Sequence, residues 1–163
     1  MTHSPTRSRA LHMAGVALLV IVLDQLSKWY MLSVLDIGHR PPMEVTSFFR
    51  LVLVWNNGVS FGMLQHEASF MPWFLIAVAV VISVVLTRLG LKSALKLERV
   101  GYGMVIGGAL GNVIDRVRFR AVVDFLHFHL GSFSWPAFNV ADAAICLGVG
   151  VLLLMMMKHP AKP

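Results

Sequence analysis

Four apolar runs constrain this chain more than any other feature, because each is close to the ~20 residues a helix needs to cross a bilayer. They fall at about 11–34, 70–89, 100–117 and 140–157. Asp24, Gln25, Ser27 and Lys28 interrupt the first, the second is the cleanest, the third is rich in glycine, and the fourth opens at Asp142. The chain is 57% hydrophobic and 13% charged, where a soluble domain carries ~25% charged residues. A water-soluble core of 163 residues has no way to hide this much apolar surface. The reading is therefore an all-α integral membrane protein, with residues 1–163 forming one membrane-embedded domain. Its net charge of +6 does not point to nucleic acid, because the basic residues form no stripe interleaved with aromatics. Cys146 is the only cysteine, which excludes an intrachain disulfide and a cysteine-rich metal site.

The basic residues set an orientation. Arg7 and Arg9 precede the first run. Arg88, Lys92, Lys96 and Arg99 separate the second from the third, and Lys158 and Lys162 follow the fourth. With four spans these segments share one side, which the positive-inside rule makes cytoplasmic. Both termini are then cytoplasmic, and Asp124 and Asp142 lie near the outer face. Arg116, Arg118 and Arg120 on the outer side weaken this asymmetry without reversing it. The basic N-terminus resembles the start of a signal peptide, but Asp24 and Lys28 stand where a cleavage site is expected. An uncleaved first helix is expected.

Two segments fall on the outer side, about 35–69 and 118–139. In the first, Phe48 to Trp55 is β-branched and aromatic, with Pro41-Pro42 before it and Asn57-Gly58 after it. It reads as a strand of a small sheet on the membrane surface. The second carries apolar Val122, Val123, Leu126 and Leu130 and reads as a short interfacial helix. Trp29, Tyr30, Trp55, Trp73 and Trp135 fall near the interfaces, as an aromatic belt requires.

Polar residues inside these runs are functional candidates by default, because each carboxylate costs roughly 2.5–3.5 kcal/mol to insert. Gly103, Gly107 and Gly111 are spaced by four, with Gly108 alongside, which lets another helix approach closely. At the outer end of that helix, Asn112, Asp115 and Arg116 form a polar group read as a network holding the bundle. Asp24 and Lys28 form an i, i+4 pair, read as an interfacial ion pair.

Asp124 and Asp142 differ, because neither has a basic partner at helical spacing. Two carboxylates held close in a low dielectric cannot both ionise, so one pKa rises and the pair shares a proton. The ionised member then deprotonates water, and the protonated one hydrogen-bonds a scissile carbonyl. Asn139 or Asn112 is a candidate donor for the tetrahedral oxyanion. Spacing alone leaves open two separate solvated carboxylates, or a proton or cation path.

Five motifs occur in order. They are Asp24-Gln25-Leu26-Ser27-Lys28; Asn56-Asn57-Gly58-Val59-Ser60-Phe61-Gly62; Gly107-Gly108-Ala109-Leu110-Gly111-Asn112 with Asp115-Arg116; Val122-Val123-Asp124-Phe125; and Phe138-Asn139-Val140-Ala141-Asp142. Together they resemble the lipoprotein signal peptidase (signal peptidase II) family over nearly the whole chain. The resemblance implies an aspartic endopeptidase of the bacterial inner membrane. Its substrate would be a prolipoprotein already carrying a diacylglyceryl group on a cysteine, cut just before that cysteine. Asp124 and Asp142 fall on the family's catalytic pair. Asn56, Gly108, Asn112, Arg116, Asn139 and Ala141 fall on positions lining its site, and Asp24, Lys28 and Asp115 on supporting ones. The resemblance also implies inhibition by globomycin, no metal or other cofactor, and a monomer among membrane lipids. Ser60 departs from the alanine more usual in the loop motif, with only local hydrogen bonding expected to change. Ala141 is expected to keep space open beside Asp142, and the glycine-rich helix to leave room for a signal-peptide helix. An ion or proton transporter and a structural subunit remain alternatives. A transporter should place its polar residues at the midplane, often with a repeat, whereas these cluster toward one face.

Overall fold

The computed structural model describes residues 5–58 and 70–158, with no side chain described at Pro5. The part of the loop motif from Val59 to Gly62 lies outside them, as do His3, His66, Glu67 and His159. Four long helices carry the fold: α1 (Pro5–Trp29), α2 (Met71–Lys92), α3 (Lys96–Phe119) and α4 (Val140–Lys158). The stretches Thr6–Val34, Met71–Lys92 and Val140–Lys158 are long and apolar enough to cross a membrane.

Burial is inverted relative to a soluble bundle. Helix α2 buries only Pro72, Ser83 and Gly90, while Phe74, Val78, Val81, Val84, Val85 and Leu89 face outward. A continuous apolar surface of this kind is stable only against another apolar medium. Helix α3 does the opposite. It buries ten residues, among them Arg99, Asn112 and Asp115, and it packs against α1, α2 and α4 alike. Protein rather than lipid surrounds it, so its composition is the least apolar of the four. At about 1.5 Å per residue its 24 residues reach ~36 Å.

The glycines of α3 explain how two of these neighbours, α1 and α4, come so close. A Cβ on Gly107 would stand 2.6 Å from the Ala17 carbonyl oxygen of α1. One on Gly108 would collide with the Ala141 carbonyl oxygen of α4. Lower down, Gly101 and Gly148 face each other across the α3–α4 seam. The expected room for a docking signal-peptide helix is therefore absent on these faces, because α1 and α4 already fill them. Gly107→Ala should force α1 off α3, and overpacking of this kind costs roughly 1–3 kcal/mol. A loss of several degrees in Tm in detergent is expected, and an unchanged Tm would refute the close packing.

The sheet is larger than the sequence suggests. Strands β1 (Met43–Thr46), β2 (Phe49–Asn56), β3 (Val122–Leu130) and β4 (Phe133–Ser134) form one antiparallel sheet in the order β1-β2-β3-β4. The strand expected at Phe48 to Trp55 is β2, moved by one residue. The interfacial helix expected in 118–139 does not form, and the fold is not purely α. Two causes are local. Arg120 takes φ 63° and closes α3 with its N–H on the Arg116 carbonyl. The following Val-Val-Asp-Phe-Leu-His-Phe-His-Leu then alternates, and its β-branched and aromatic side chains suit a pleated ladder. Apolar residues at Val122, Leu126 and Leu130 fit a helix stripe and one strand face equally, so periodicity alone misled. The third cause is tertiary: β2 offers a free edge. Pairing runs from Phe49↔Phe128 to Asn56↔Val122, with a bulge between Leu51 and Val54. Ile37, Val123 and Phe125 form the small core beneath the sheet. At the end of α1 a wide turn, Tyr30–Val34, delivers Ile37 into that core.

Candidate active site

The C-terminal parts of α1 and α3, the N-terminus of α4 and the start of β3 converge on a buried polar cluster. Asn139 and Asp142 are set by a reciprocal cap at the start of α4. The Asp142 backbone N–H donates to Asn139 Oδ1 at 3.0 Å, and the Asn139 N–H donates to Asp142 Oδ2 at 3.3 Å. This is the geometry of a capping box, and a carboxylate there also meets the positive end of the helix dipole. Asp142 therefore has a structural role beside any chemical one.

Asp124 enters from β3 and is 1% exposed. Its Oδ2 accepts from Asn56 Nδ2 at 2.9 Å, and its Oδ1 from Asn139 Nδ2 at 2.7 Å. Asn56 sits at the end of β2, and its Oδ1 accepts from the Gly58 N–H, which fixes which way its amide faces. Asn112 of α3 completes the arc by donating to Asp142 Oδ1 at 2.8 Å. Asn139 thus bridges the two aspartates, touching Asp124 through its side chain and Asp142 through its backbone.

Electrostatics separate Asp124 from an ordinary surface carboxylate. Burial, followed by the neighbouring Asp142 charge, pushes the Asp124 carboxyl up to about 6, against the pull of the Asn56 and Asn139 hydrogen bonds. Arg116 lies within electrostatic reach of Asp142, Asp115 and Asp124. It is the basic partner that helical spacing did not reveal. Asn112 and Asn139, the expected oxyanion donors, already point their amides at the carboxylates, which leaves Arg116 better suited to that charge.

Behind this arc lies a second, fully enclosed network. Lys28 Nζ stands 2.8 Å from Asp24 Oδ2 and 2.8 Å from Asp115 Oδ2, and all three residues are nearly inaccessible. Asp24 Oδ1 accepts the Ala141 N–H at 3.0 Å, and Asp115 Oδ2 accepts the Val123 N–H at 3.1 Å. The pair expected at the interface is thus a buried three-member group that ties α1 to α3, α4 and β3. Lys28 also donates to Asn112 Oδ1 at 3.3 Å, turning the Asn112 amide nitrogen toward Asp142. Asn112, Asp115 and Arg116 are joined through shared partners: Lys28 contacts both Asp115 and Asn112, and Arg116 donates to the Asn112 carbonyl at 3.4 Å. The Asn112 amide nitrogen goes on to Asp142 of α4. Ala141 is fully buried and packs over Gly108 and Gly111 rather than leaving open space. Gln25 was not singled out, yet it donates to Asp24, to Asp115 and to the Gly111 carbonyl. An amide beside an aspartate in an apolar run was the available signal. His127 of β3 meets Arg50 and Ser134 rather than either aspartate.

Comparison with known proteins identifies the family. A family model described as signal peptidase (SPase) II matches residues 16–158. A lipoprotein signal peptidase from a Methylobacterium species is 41% identical over 148 residues, covering 91% of this chain and 90% of the relative. Its counterpart from Nitrobacter hamburgensis is 43% identical over 150 residues, covering 89% and 92%. A solved structure described as a bacterial membrane enzyme superposes with a TM-score of 0.76 at 28% identity, covering 90% of this chain and 92% of that one. The apolar spans, the match across nearly the whole chain and the shared fold together place this protein in the signal peptidase II family, the membrane proteases that process lipoprotein precursors.

Proposed function

We propose that the protein is an aspartic endopeptidase in which Asp124 and Asp142 form the catalytic dyad. The observation that carries this reading is the shared frame of Asn56, Asn112 and Asn139, which holds two carboxylates from different elements against one another. A purely structural role for Asp124 gains nothing from an environment that disfavours its charge. In the reaction, Asp142, held at a helix N-terminus, takes a proton from water. Asp124, whose proton is retained up to about pH 6, donates to the scissile carbonyl oxygen. Arg116 stabilises the negative charge that develops on that oxygen in the transition state, before the proton is fully transferred, and the intermediate is the neutral gem-diol. The proton on Asp142 then passes to the leaving amine while a gem-diol hydroxyl returns its proton to Asp124, which leaves the dyad singly protonated.

In this reading α3 is a fourth span, both termini are cytoplasmic, and the sheet lies on the periplasmic surface of the inner membrane. The enzyme acts as a monomer. The substrate is a diacylglyceryl-modified prolipoprotein, cut before its lipidated cysteine. Its acyl chains stay in the bilayer, so the dyad must sit at membrane depth, as the ends of α3 and α4 allow. The direct test is incubation of detergent-solubilised protein with such a precursor. Release of the signal peptide with the lipidated cysteine at the new N-terminus is expected. Intact precursor after incubation with monodisperse protein would refute the reading.

The dyad also sets a pH dependence. The free enzyme needs Asp124 protonated, so kcat/KM should fall on the basic side with a midpoint near 6. Bound substrate dries the site and disfavours the carboxylate further, so the corresponding limb of kcat should lie higher. A kcat/KM that stays constant from pH 5 to 8 would remove the shared proton from the mechanism.

A further inference from the structure

A groove of about 400 Å³ lies where α1, α2 and α3 meet, with no dyad residue in its lining, and the mechanism makes no use of it. Its wall is α1 from Ala10 to Ile21, its floor is Ile106 and Leu110 of α3, and α2 contributes only Thr87. Small side chains make the space. Ala10, Ala14 and Ala17 recur along one face of α1 at helical spacing. The groove is closed at one end. A Cβ on Gly90 of α2 would collide with Met13 Sδ of α1, so the two helices touch there. Arg9 of α1 ties them again by donating to the Leu91 carbonyl at 3.2 Å.

Length and width decide what fits. Ala10 to Ile21 spans ~16 Å at ~1.5 Å per residue. That is about one half of a hydrocarbon core ~30 Å thick. Over this length the volume leaves a mean cross-section of ~25 Å², about a third of what a helix ~10 Å across needs. An alkyl chain fits. A transmembrane helix, whether of a substrate or of a second copy, does not.

The closed end is basic. At ~100° per residue, Leu91 lies between Thr87 and Arg88 around α2, so Arg88 stands on the side of α2 that meets Arg9. Lys92 is one turn further on the same stripe. Arg88 and Lys92 are exposed, and neither has an ion-pair partner among the described residues. Arg9 gives one N–H to Leu91 and keeps others for a ligand. The one acidic residue at this end of the three helices, Glu98, already accepts from Ser93 Oγ.

We infer that the groove holds one acyl chain of an anionic phospholipid of the cytoplasmic leaflet, with the lipid phosphate between Arg9 and Arg88. Any apolar groove in a bilayer fills with hydrocarbon, and the basic clasp at its closed end is what selects the headgroup. The inference rests on the topology proposed above, which puts the start of α1 and the end of α2 on the cytoplasmic side. A lipid seated there bridges the two helices and stabilises the bundle by mass action.

The test offers purified protein an equimolar mixture of phosphatidylglycerol and phosphatidylcholine and reads the most tightly held lipid by native mass spectrometry. Wild type should retain phosphatidylglycerol at least ~tenfold over phosphatidylcholine, since each basic residue at the headgroup contributes about five-fold. Arg88→Gln should cut that ratio about five-fold. Ala14→Phe, at an exposed position of the groove, should abolish retention of both lipids while Tm in lipid-free detergent stays unchanged. Equal retention of the two lipids by wild type would overturn the headgroup site. An unchanged ratio in Arg88→Gln, or unchanged retention in Ala14→Phe, would overturn its placement. Labelling of Lys96→Cys in a Cys146→Ser background, from either side of sealed membrane vesicles, checks the topology separately. Labelling from the periplasmic side would overturn that topology, and the cytoplasmic-leaflet site with it.

Discussion

Asp124→Asn and Asp142→Asn should each lower cleavage of a lipidated precursor by at least about a thousandfold, because each removes a group that exchanges a proton in the transition state. The proteins should remain inserted and folded, and for Asp124 the sign of the stability change can be worked out. Its folded-state pKa is raised from 3.8 to about 6. The folded state therefore holds this proton more tightly than the unfolded chain. Its contribution to stability falls as pH rises from about 4 to 6, and the full cost is present above 6. That cost is roughly 3 kcal/mol. Asparagine avoids it, but it turns one amide nitrogen toward the amide of Asn56 or Asn139 and loses a hydrogen bond worth about 1 kcal/mol. Asp124→Asn should thus be more stable than wild type at pH 8 and not at pH 4. Thermal unfolding in detergent at the two pH values, beside the cleavage assay, checks both halves. Normal cleavage by either variant would refute the dyad, whatever the stability result.

The second large effect lies outside the dyad. Lys28→Met should destabilise the protein by about 3–5 kcal/mol, the cost of leaving a buried ion pair without its partner. For a chain of this size each 1 kcal/mol moves Tm by ~2–4 °C, so a fall of roughly 10 °C is expected. Asp24 and Asp115 each lie 2.8 Å from the ammonium, and without it two buried carboxylates face each other. The double variant Lys28→Met with Asp115→Asn should recover part of the loss, since one uncompensated charge is then gone. Activity should fall even at temperatures where the single variant stays folded. Lys28 and Asn139 both donate to Asn112 Oδ1 at 3.3 Å, so losing Lys28 removes one of the two donors that hold the Asn112 amide toward Asp142. A Tm within 2 °C of wild type would refute the buried ion-pair network.

Much of the site was legible in the sequence because membrane burial makes polar residues rare and therefore informative. Asp24, Lys28, Asn112, Asp124, Asn139 and Asp142 stood out against apolar surroundings, and all of them meet in one cluster. Their pairing was less legible. Asp115 and Asn112 are three residues apart in α3 and share Lys28, yet Asp115 goes on to accept from β3 while the Asn112 amide reaches Asp142 of α4. Arg116 reached the aspartates only through the crossing of α3 with α4. The glycines of α3 announced close approach, but not that two helices on different faces would fill the space.

What the sequence determined by itself is the solvent and the element lengths. Runs of about 20 apolar residues have one stable environment, and the backbone there must be helical because no water satisfies its polar groups. What only the tertiary structure decided is the conformation of residues 122–130 and the wiring of the charges. The apolar spacing of Val122, Leu126 and Leu130 suits a helix and a strand alike, and the choice fell to the free edge of β2, brought alongside from some 70 residues earlier in the chain. The charges followed the same rule. An aspartate in an apolar run must find a partner, but which lysine, amide or backbone N–H it finds depends on how closely the glycines let the helices cross.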